Sequence, residues 1–456
     1  MPRAALTFPA WVLAVHAAGT GAVVRSVLDY NGIASCSSLD CAKQNGYAFV
    51  DAARAAAPGD IVLFDQGQTF FFLPPPEEES VLTNLQSLTL DIGGTLVLHD
   101  DFTAWPMSSE KVYVNAIDIR NSSRILITGS GQIDGQGETW WVAFGNGEIP
   151  RERPTMIYFE GVSDSTIERV SLFNAPRFNI YGADVERFTV RYMTIWVNVS
   201  LQHDIMKDIQ AAAAGDLGHQ AFPFNTDGVD FKGRDIHVHD LSVSNYDDVI
   251  AVKPSDTRLS IQCTENVLVE RISILGGVGL SIGSVPPSIY VRCIRNVTFR
   301  DSTAKDPIKL IHIKSESEPA DEPDATTVRS ALIESIVYSN ITATGSVMWP
   351  IYLGPQQQNE PDGTGEGWFD VPIDDRVTIR NISFLDVTVT GNHVKAGLIR
   401  CNSSNPCLGI SFDNVRIQGG MSEMSGGFIC DERHAAFGTY DRDTSPSPSK
   451  CLGVPR

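Results

Sequence analysis

The sequence predicts an all-β protein in which most of the 456 residues form a single-domain parallel β-helix, capped at its N-terminal end by one helix. Three observations predict this fold. An eight-residue pattern with hydrophobic residues at its first, third, sixth and eighth positions recurs from about residue 120 onward. Its copies are rich in β-branched residues and are too short to be helices. No amphipathic helix of about ten residues is evident between the copies, which argues against βαβ folds and leucine-rich repeats.

The copies are spaced like the turns of a coil. The clearest are Ile236–Val243, Val267–Ile274, Ile382–Val389 and Ile410–Ile417. Weaker copies surround Ile127, Ile167, Val190, Phe299 and Tyr338. The shortest intervals are about 23–31 residues, as expected for one turn of a solenoid. The 48-residue interval from Val190 to Val238 is interpreted as two turns, and the other long intervals as turns with loop insertions. Asparagine, which tolerates left-handed backbone geometry, stands at the expected bends Asn266, Asn296 and Asn414.

The N-terminal region predicts two features outside the repeats. Residues 1–22 have the charge, apolar stretch and small residues of a secretory signal peptide, with a short membrane anchor as the alternative. Residues 45–56 predict an amphipathic helix that ends at Pro58–Gly59 and covers the strand edges at the open end of the coil. The remaining chain, residues 23–456, is expected to form one domain.

Composition and charge exclude several classes of protein. Hydrophobic residues make up 42% of the chain and charged residues 20%, which excludes a disordered or coiled-coil protein. The net charge of −20 argues against a nucleic-acid partner. No later segment reaches the roughly 18 apolar residues that span a bilayer. A polyanionic substrate would require positive charge to be concentrated locally.

Eight cysteines follow the predicted signal segment, and in a secreted chain their even number favours disulfides. Cys263 and Cys293 each lie six residues before the third position of a pattern copy, so they occupy equivalent places on adjacent turns. The spacing of about 4.8 Å between turns suits a disulfide between them. Short loops predict the pairs Cys401–Cys407 and Cys430–Cys451, and elimination leaves Cys36–Cys41. Six glycosylation sequons accompany them, at Asn121, Asn198, Asn296, Asn340, Asn381 and Asn402.

Four aspartates gather within about one turn of the coil. Residues 225–230 read Asn-Thr-Asp-Gly-Val-Asp, and residues 245–248 read Asn-Tyr-Asp-Asp. Clustered carboxylates raise each other's pKa, so a site that keeps them holds some protonated and others ionised. Glycoside hydrolysis needs such a division between an acid and a base. A calcium site or an Asp-rich turn is the alternative.

These motifs, together with residues 277–284, 129–137 and 174–176, resemble glycoside hydrolase family 28, whose main members are polygalacturonases. The resemblance covers roughly residues 40–430. It implies a right-handed parallel β-helix that hydrolyses α-linked pectin backbones with inversion, without a metal or other cofactor. It also implies a secreted monomer with a pectic polysaccharide as its partner and neither nucleic acid nor membrane.

The resemblance assigns roles by position. Asp247 corresponds to the general acid, and Asp227 and Asp248 to the residues that activate water. Asn225 and Asp230 are expected to bind substrate or to orient the acids, with polar stacking inside the coil as the alternative. The substrate-binding set implied by the resemblance is completed by His312, Lys314 and Tyr352.

Two positions depart from the family pattern. Val278 stands where a Gly-His-Gly motif has histidine, and the spacing of the copies places it one turn beyond Asp247. His312 stands where an Arg-Ile-Lys motif has arginine, whereas Lys314 is retained. An imidazole cannot replace a bidentate guanidinium. A variant backbone such as rhamnogalacturonan or substituted galacturonan is therefore plausible, as is an exo mode if the insertion at residues 202–220 closes one end of the cleft. A β-helix that binds polysaccharide without hydrolysing it is the main alternative, and a calcium-dependent lyase is a weaker one.

Overall fold

The computed structural model describes residues 21–150, 152–212, 224–255, 261–287, 292–315, 330–354, 374–393, 395–419, 427–430 and 436–453. Residues 1–20 of the predicted signal peptide therefore lie outside the described residues. The second part of the predicted insertion, residues 213–220, also lies outside them.

Within the described residues, twenty-six strands join into one continuous sheet whose strand pairings are parallel. In chain order the strands are β1 Val24–Ser26, β2 Ile61–Phe64, β3 Thr69–Phe72, β4 Leu82–Thr83, β5 Thr89–Ile92, β6 Thr95–Leu98, β7 Ile117–Arg120, β8 Leu126–Thr128, β9 Gln132–Asp134, β10 Ile157–Glu160, β11 Ser163–Glu168, β12 Ser171–Phe173, β13 Ile180–Trp196, β14 Val229–Val252, β15 Cys263–Val285, β16 Arg292–Lys305, β17 Lys309–Ser315, β18 Ala331–Thr344, β19 Ile351–Gly354, β20 Val377–Asn392, β21 Gly397–Ile399, β22 Cys407–Asp413, β23 Arg416–Gly419, β24 Phe428–Ile429, β25 Ala436–Tyr440 and β26 Leu452–Gly453. The helices are α1 Leu39–Ala55, α2 Glu77–Ser80, α3 Gly137–Gly145 and α4 Val199–Ala212, besides a 3-10 turn at Val27–Tyr30.

The predicted repeat positions pair directly with one another, turn after turn, which confirms a parallel β-helix. The paired series is Ile127, Ile167, Val190, Val238, Val269, Phe299, Tyr338, Phe384 and Phe412. Val190 pairs with Val238, so the 48-residue interval is one turn and the two-turn interpretation was wrong. The extra residues of that turn include α4.

The interior of the coil is a column of stacked side chains. Phe299, Tyr338, Phe384 and Phe412 are buried, and their rings lie 4.8, 5.7 and 4.8 Å apart in that order. Residues in register on parallel strands are about 4.8 Å apart, so like side chains meet face to face along the axis. The apolar periodicity of the sequence therefore becomes one continuous core.

The predicted capping helix is present and longer than expected. It begins at Leu39 rather than at residue 45, because the hydroxyl of Ser38 accepts a hydrogen bond from the backbone N–H of Cys41 and caps the first turn. Phe49 packs against Phe64 and Phe72, with ring centroids 5.7 and 5.9 Å apart. The helix thus covers the first turns of the coil.

Helix α4 corrects the expectation that no helix interrupts the repeat. It occupies the turn between β13 and β14, begins three residues before the insertion predicted at residues 202–220 and overlaps its first part. Its apolar side chain Ile205 packs with Trp141, Val197 and Phe224 in a cluster separate from the core of the coil. The segment forms a helix because its apolar face is buried against this cluster outside the coil.

The predicted disulfides are present. Cys263 and Cys293 pair in register on β15 and β16, with their Cα atoms 4.8 Å apart. The three others are Cys36–Cys41, Cys401–Cys407 and Cys430–Cys451. The expected bends are also confirmed, since Asn266, Asn296 and Asn414 have φ values of 57°, 52° and 53°. In the part of the chain that the structure describes, no helix combines the length and apolar character needed to cross a bilayer.

Candidate active site

Three carboxyl groups converge on one face of the coil. Oxygens of Asp227, Asp247 and Asp248 all lie within 4.8 Å of one another, as the sequence predicted from their one-turn spacing. The backbone N–H of Gly228 donates to the carbonyl oxygen of Asp248 at 2.8 Å, so the two motifs lie on adjacent turns. Each of the three side chains belongs to a residue that is at most 2% exposed. Water therefore screens their mutual repulsion only weakly.

Two buried amide side chains hold this backbone in place. Asn245 donates from its Nδ2 to the carbonyl oxygens of Thr226 at 3.0 Å and Asp248 at 2.9 Å. Asn179, on the preceding turn, donates to the carbonyl oxygen of Asp227 at 2.9 Å. Sequence reasoning gave neither residue a role, although Asn245 belongs to the motif it singled out. Both amides fix the backbones from which the aspartates project.

Asn245 also marks a break in register that corrects the predicted place of Val278. The pairing of β14 with β15 shifts between Asn245 and Asp248, so Val278 pairs with Asp248 and not with Asp247. Counting residues from the repeat missed this because the shift absorbs one residue. Val278 is buried beside Ile308, in a small apolar cluster that includes Tyr246 and Met348.

Two lysines neutralise part of the negative charge. Lys253 Nζ lies 3.2 Å from an oxygen of Asp230, 3.7 Å from one of Asp248 and 3.9 Å from one of Asp227. Lys314 Nζ lies 2.8 Å from Asp248 Oδ2. The ammonium group of Lys253 therefore lies among three carboxylates.

Asp248 has the most complete set of partners. Besides Lys314, the hydroxyl of Ser281 donates to its Oδ1 at 2.6 Å. Ser281 belongs to the second glycine-rich segment, yet sequence reasoning overlooked it because serine is common in such segments. With partners on both oxygens, the carboxylate of Asp248 is held in one orientation.

The surroundings separate the proton affinities of the aspartates. Burial and the charge of Asp248 raise the pKa of Asp247 to about 7, although Lys314 and Lys253 act in the opposite direction. Burial also raises the pKa of Asp227 well above its usual range, with the charges of Asp230 and Asp247 acting in the same direction. For Asp248 burial is outweighed, because Lys314, His312 and Lys253 lower its pKa well below the usual range. The cluster therefore contains a fixed anion beside carboxyl groups that keep protons at mildly acidic pH.

Asp230 and Asn225 lie beside this centre. Asp230 is fully buried, and its pKa rises to about 6 because burial outweighs the effect of Lys253. Asn225 is half-buried and has a φ of 49°, so it forms the left-handed turn that leads into Thr226 and Asp227. Asp230 is thus placed to orient Lys253.

The predicted substrate-binding residues follow on the next turns. His312 pairs in register with Ser281 and with Tyr352. Its Nδ1 lies 3.9 Å from Asp248 Oδ1, and its ring meets that of Tyr352 edge-on with centroids 4.8 Å apart. Lys309, which the sequence did not single out, lies with its Nζ 4.7 Å from the centroid of the same tyrosine ring. The structure therefore brings His312, Lys314 and Tyr352 together on one side of the carboxylates.

Helix α4 lies beside the first aspartate motif, residues 225–230. The side chain of Gln202 is fully buried and bonds to the hydroxyl of Thr226 at 3.3 Å, next to Asp227. His203 lies 6.4 Å from Tyr246, measured between ring centroids. The helix is thus attached to the segments that carry both the first aspartate and the aspartate pair.

The three carboxylates are also close enough to hold a metal ion. Lys253 and Lys314, however, already place two ammonium groups within 3.9 Å of these oxygens. A divalent cation there would meet their repulsion, so the arrangement suits proton transfer better than metal binding.

Comparisons with known proteins agree with the fold and the site. Residues 71–435 match the model of glycosyl hydrolases family 28. The chain is 23% identical to an exopolygalacturonase of Zea mays over 73% of this chain and 69% of that one. It is 26% identical to the probable endopolygalacturonase A of Aspergillus niger over 86% and 93%. The endo-xylogalacturonan hydrolase of Aspergillus tubingensis shares the fold, with a TM-score of 0.62, 19% identity and coverage of 93% and 100%. Because the family model spans most of the chain, this protein belongs to glycosyl hydrolases family 28 and is a glycoside hydrolase.

Proposed function

We propose that the protein cleaves galacturonate-containing pectin backbones by acid–base hydrolysis. The observation that carries the proposal is the convergence of Asp227, Asp247 and Asp248 with divided proton affinities. Relatives named as polygalacturonases support a pectic substrate. The reaction needs no metal, since Lys253 and Lys314 supply the positive charge at the carboxylates.

The roles follow from protonation. Asp247, which keeps its proton up to a pH of about 7, donates that proton to the glycosidic oxygen as the bond breaks. Asp248 is the ionised member and accepts a proton from the attacking water. Asp227 holds the water beside Asp248 and stays protonated, because burial and its acidic neighbours raise its pKa. This modifies the sequence-based assignment, in which Asp227 and Asp248 shared the role of base.

We propose inversion at the anomeric carbon, as the family resemblance implies. An inverting enzyme leaves room for a water molecule between acid and base, whereas a retaining enzyme forms a covalent intermediate on one carboxylate. Proton NMR of the first product from an α-linked substrate decides between them: a β-anomer supports inversion, and an α-anomer supports retention.

The substrate we propose is a variant backbone, either a substituted galacturonan or a rhamnogalacturonan. Val278 and His312 provide fewer charged donors than the family pattern, and one of the solved structures that share the fold is an endo-xylogalacturonan hydrolase. The protein should be incubated near pH 5 with polygalacturonate, xylogalacturonan and rhamnogalacturonan, and new reducing ends measured with and without chelator. Hydrolysis that is unaffected by chelator and fastest on a variant backbone supports the proposal.

The Asp247→Asn variant tests the role of Asp247 as the general acid, since it removes the proton donor with little change in side-chain shape. It should lower kcat by at least about a hundredfold, the usual contribution of a general acid. Retention of the wild-type protein on pectin without new reducing ends would instead support a polysaccharide-binding protein, and unsaturated products would support a lyase.

An exo mode is proposed from the position of α4. The helix is fixed beside Asp227 through Gln202 and Thr226, and this position supports the proposal that it restricts the passage of a long chain. Viscosity and reducing ends measured together test this. An exo enzyme leaves the viscosity nearly unchanged while reducing ends accumulate, whereas a rapid fall in viscosity contradicts the exo mode.

Secretion of a monomer is proposed from sequence and structure together. Four disulfides suit an oxidising compartment, and the sequons add support. Expression in eukaryotic cells tests it: cleavage within residues 1–22 and recovery of glycosylated monomer from the medium are expected, whereas retention of the chain in membranes would contradict it.

A further inference from the structure

We propose that Tyr181 binds a hydroxyl group of the sugar unit that lies on the N-terminal side of the three aspartates. The inference rests on the proposed function and specifies one contact through which the substrate is held. It assigns to the site a neutral donor that selects for a sugar hydroxyl group and not for charge.

Tyr181 lies directly beside the acidic centre. It pairs in register with Asp230, whose carboxylate lies 3.2 Å from Lys253 Nζ. Residues in register on neighbouring parallel strands are about 4.8 Å apart and project from the same face of the sheet. Ile180, the residue before Tyr181, points into the core, so the tyrosine side chain projects outward. It therefore borders the carboxylates on the turn that precedes them.

The charged groups of the site are close enough to act on this tyrosine, and they leave it neutral. Burial raises the pKa of Tyr181 to about 12, with Lys253 lowering that pKa and Asp230 raising it. The hydroxyl group therefore keeps its proton at every pH at which the proposed acid and base work. A neutral phenol donates to or accepts from a sugar hydroxyl group, and it needs no carboxylate as its partner.

Two aromatic neighbours hold the ring of Tyr181 in place. Tyr158 pairs with it in register on β10, and the two rings stack with centroids 5.8 Å apart and planes 13° from parallel. The ring of Phe178 lies 5.4 Å from that of Tyr181 on another side. A side chain that is already ordered by packing loses little entropy when it binds a ligand.

The two stacked tyrosines differ in how their hydroxyl groups are bonded. The hydroxyl of Tyr158 donates to Glu160 Oε2 at 2.9 Å. Within the described residues the hydroxyl of Tyr181 makes no hydrogen bond, nor is it shut off from solvent. A tyrosine commonly packs its ring and uses its hydroxyl as a polar handle for a partner. A sugar unit bound next to the carboxylates supplies that partner.

The test is calorimetric binding of three oligosaccharides in the Asp247→Asn background, so that none of them is consumed. They are an α-1,4-linked galacturonate trimer, the same trimer with its carboxyl groups reduced to alcohols, and a rhamnogalacturonan tetrasaccharide. Tyr181→Phe removes only the hydroxyl group. It should weaken binding of each oligosaccharide that the parent protein binds by about two- to tenfold, the net value of one neutral hydrogen bond. The acid and the reduced trimer should lose affinity by the same factor.

Tyr192→Phe is the matched control. Tyr192 lies on the same strand, is 49% exposed, and its ring centroid lies 5.4 Å from that of His239. The same chemical change at this position should leave all affinities unchanged.

Kinetics separate a direct contact from an effect on the neighbouring charges. In the otherwise wild-type enzyme, Tyr181→Phe should raise KM by the factor seen in binding while kcat changes by less than about twofold. The pH dependence of kcat/KM should stay in place. A displaced pH profile with unchanged affinity would mean that Tyr181 acts through Asp230 and Lys253, and the inference would be wrong.

Three further outcomes overturn the inference. They are equal affinity of Tyr181→Phe and its parent for every oligosaccharide, an absence of binding to all three, and a loss confined to the acid trimer. If Tyr181→Phe does not fold, its hydroxyl group has a structural role and the inference also fails. Failure of the proposed function is a separate result, namely no new reducing ends from any pectic polymer, whatever the affinities.

Discussion

Asp247 and Asp248 are neighbours in sequence, yet their surroundings give them opposite affinities for a proton. Asp248 is held by Lys314 and Ser281, whereas the backbone N–H of Asp248 donates to Asp247. The charged and hydrogen-bonding partners, and not the depth of burial, separate the acid from the base, since both residues are almost fully buried.

This difference predicts how activity depends on pH. The pKa of Asp247 is raised to about 7, so the group carries the proton needed for donation below that pH and loses it above. We expect kcat/KM to fall about tenfold per pH unit above pH 7. The pKa of Asp248 is lowered well below its usual range, so acid should inactivate the base only at much lower pH.

The pH profile has a matched control. Asp230 also has a raised pKa, of about 6, and Asp230→Asn removes that group. This variant should keep the alkaline fall near pH 7. A fall that disappears in Asp230→Asn while the protein remains folded would assign the titrating acid to Asp230.

Lys253 is expected to control the acidic side of the profile. Although burial lowers its proton affinity, the surrounding Asp230, Asp248 and Asp227 raise the pKa of Lys253 well above its usual value, so it remains charged. Lys253→Met removes that charge and raises the pKa of Asp248, so activity should be lost at higher pH as the solution is acidified. We expect the acidic limb of kcat/KM to move up by about one to three pH units, the usual effect of a neighbouring opposite charge.

The control is Lys253→Arg, which keeps the charge. It should hold the acidic limb within about half a unit of the wild-type position. If Lys253→Met loses activity equally at all pH values, Lys253 acts on the shape of the site and not on its protonation.

At the scale of elements, the turns are held together by side chains that repeat in register. Phe384 lies between Tyr338 and Phe412 in the axial column, with centroid distances of 5.7 and 4.8 Å. Truncation of Phe384 would leave a cavity in the core. The surrounding parallel strands are hydrogen-bonded in register and cannot easily move inward to fill it.

Phe384→Ala should therefore lower the free energy of unfolding by about 3–5 kcal/mol. Chemical denaturation measured by circular dichroism tests this. Leu275→Ala is the control, because Leu275 is 44% exposed on β15 and its truncation should cost less than about 0.5 kcal/mol. Equal losses in the two variants would mean that the aromatic column does not carry the stability of the coil.

The element scale also shows what the sequence could predict. The paired series from Ile127 to Phe412 followed from period-two alternation of apolar residues, because burial in a solenoid repeats with each turn. Helix α4 did not follow, since its apolar face packs outside the coil against Trp141 and Phe224. A repeat pattern contains no information about such an outer patch.

The sequence likewise predicted some features of the site and missed others. The convergence of Asp227 with Asp247 and Asp248 followed from one-turn spacing, which fixes neighbours across turns. The pairing of Val278 with Asp248, the central position of Lys253 and the contact of Lys309 with Tyr352 did not follow. They depend on a register shift and on side-chain directions, and neither can be read from the repeat pattern of the sequence.

At the scale of the whole molecule, a net charge of −20 opposes an acidic polysaccharide, whereas Lys253 and Lys314 place positive charge locally among the aspartates. The two effects act over different distances. Repulsion by the whole protein extends about 30 Å at 10 mM salt and about 10 Å at 100 mM. Contacts of a few ångströms in a buried site are screened much less.

Salt should therefore help this enzyme at first. We expect kcat/KM on its acidic pectic substrate to rise between about 10 and 100 mM salt, because the long-range repulsion weakens while short-range contacts inside the buried site persist. A carboxyl-reduced form of the same substrate should show no such rise, which makes it the control. A rate that falls steadily from the lowest salt concentration would mean that the local lysines already dominate at long range. In that case the acidic surface would place no limit on which pectic polymers the enzyme can approach.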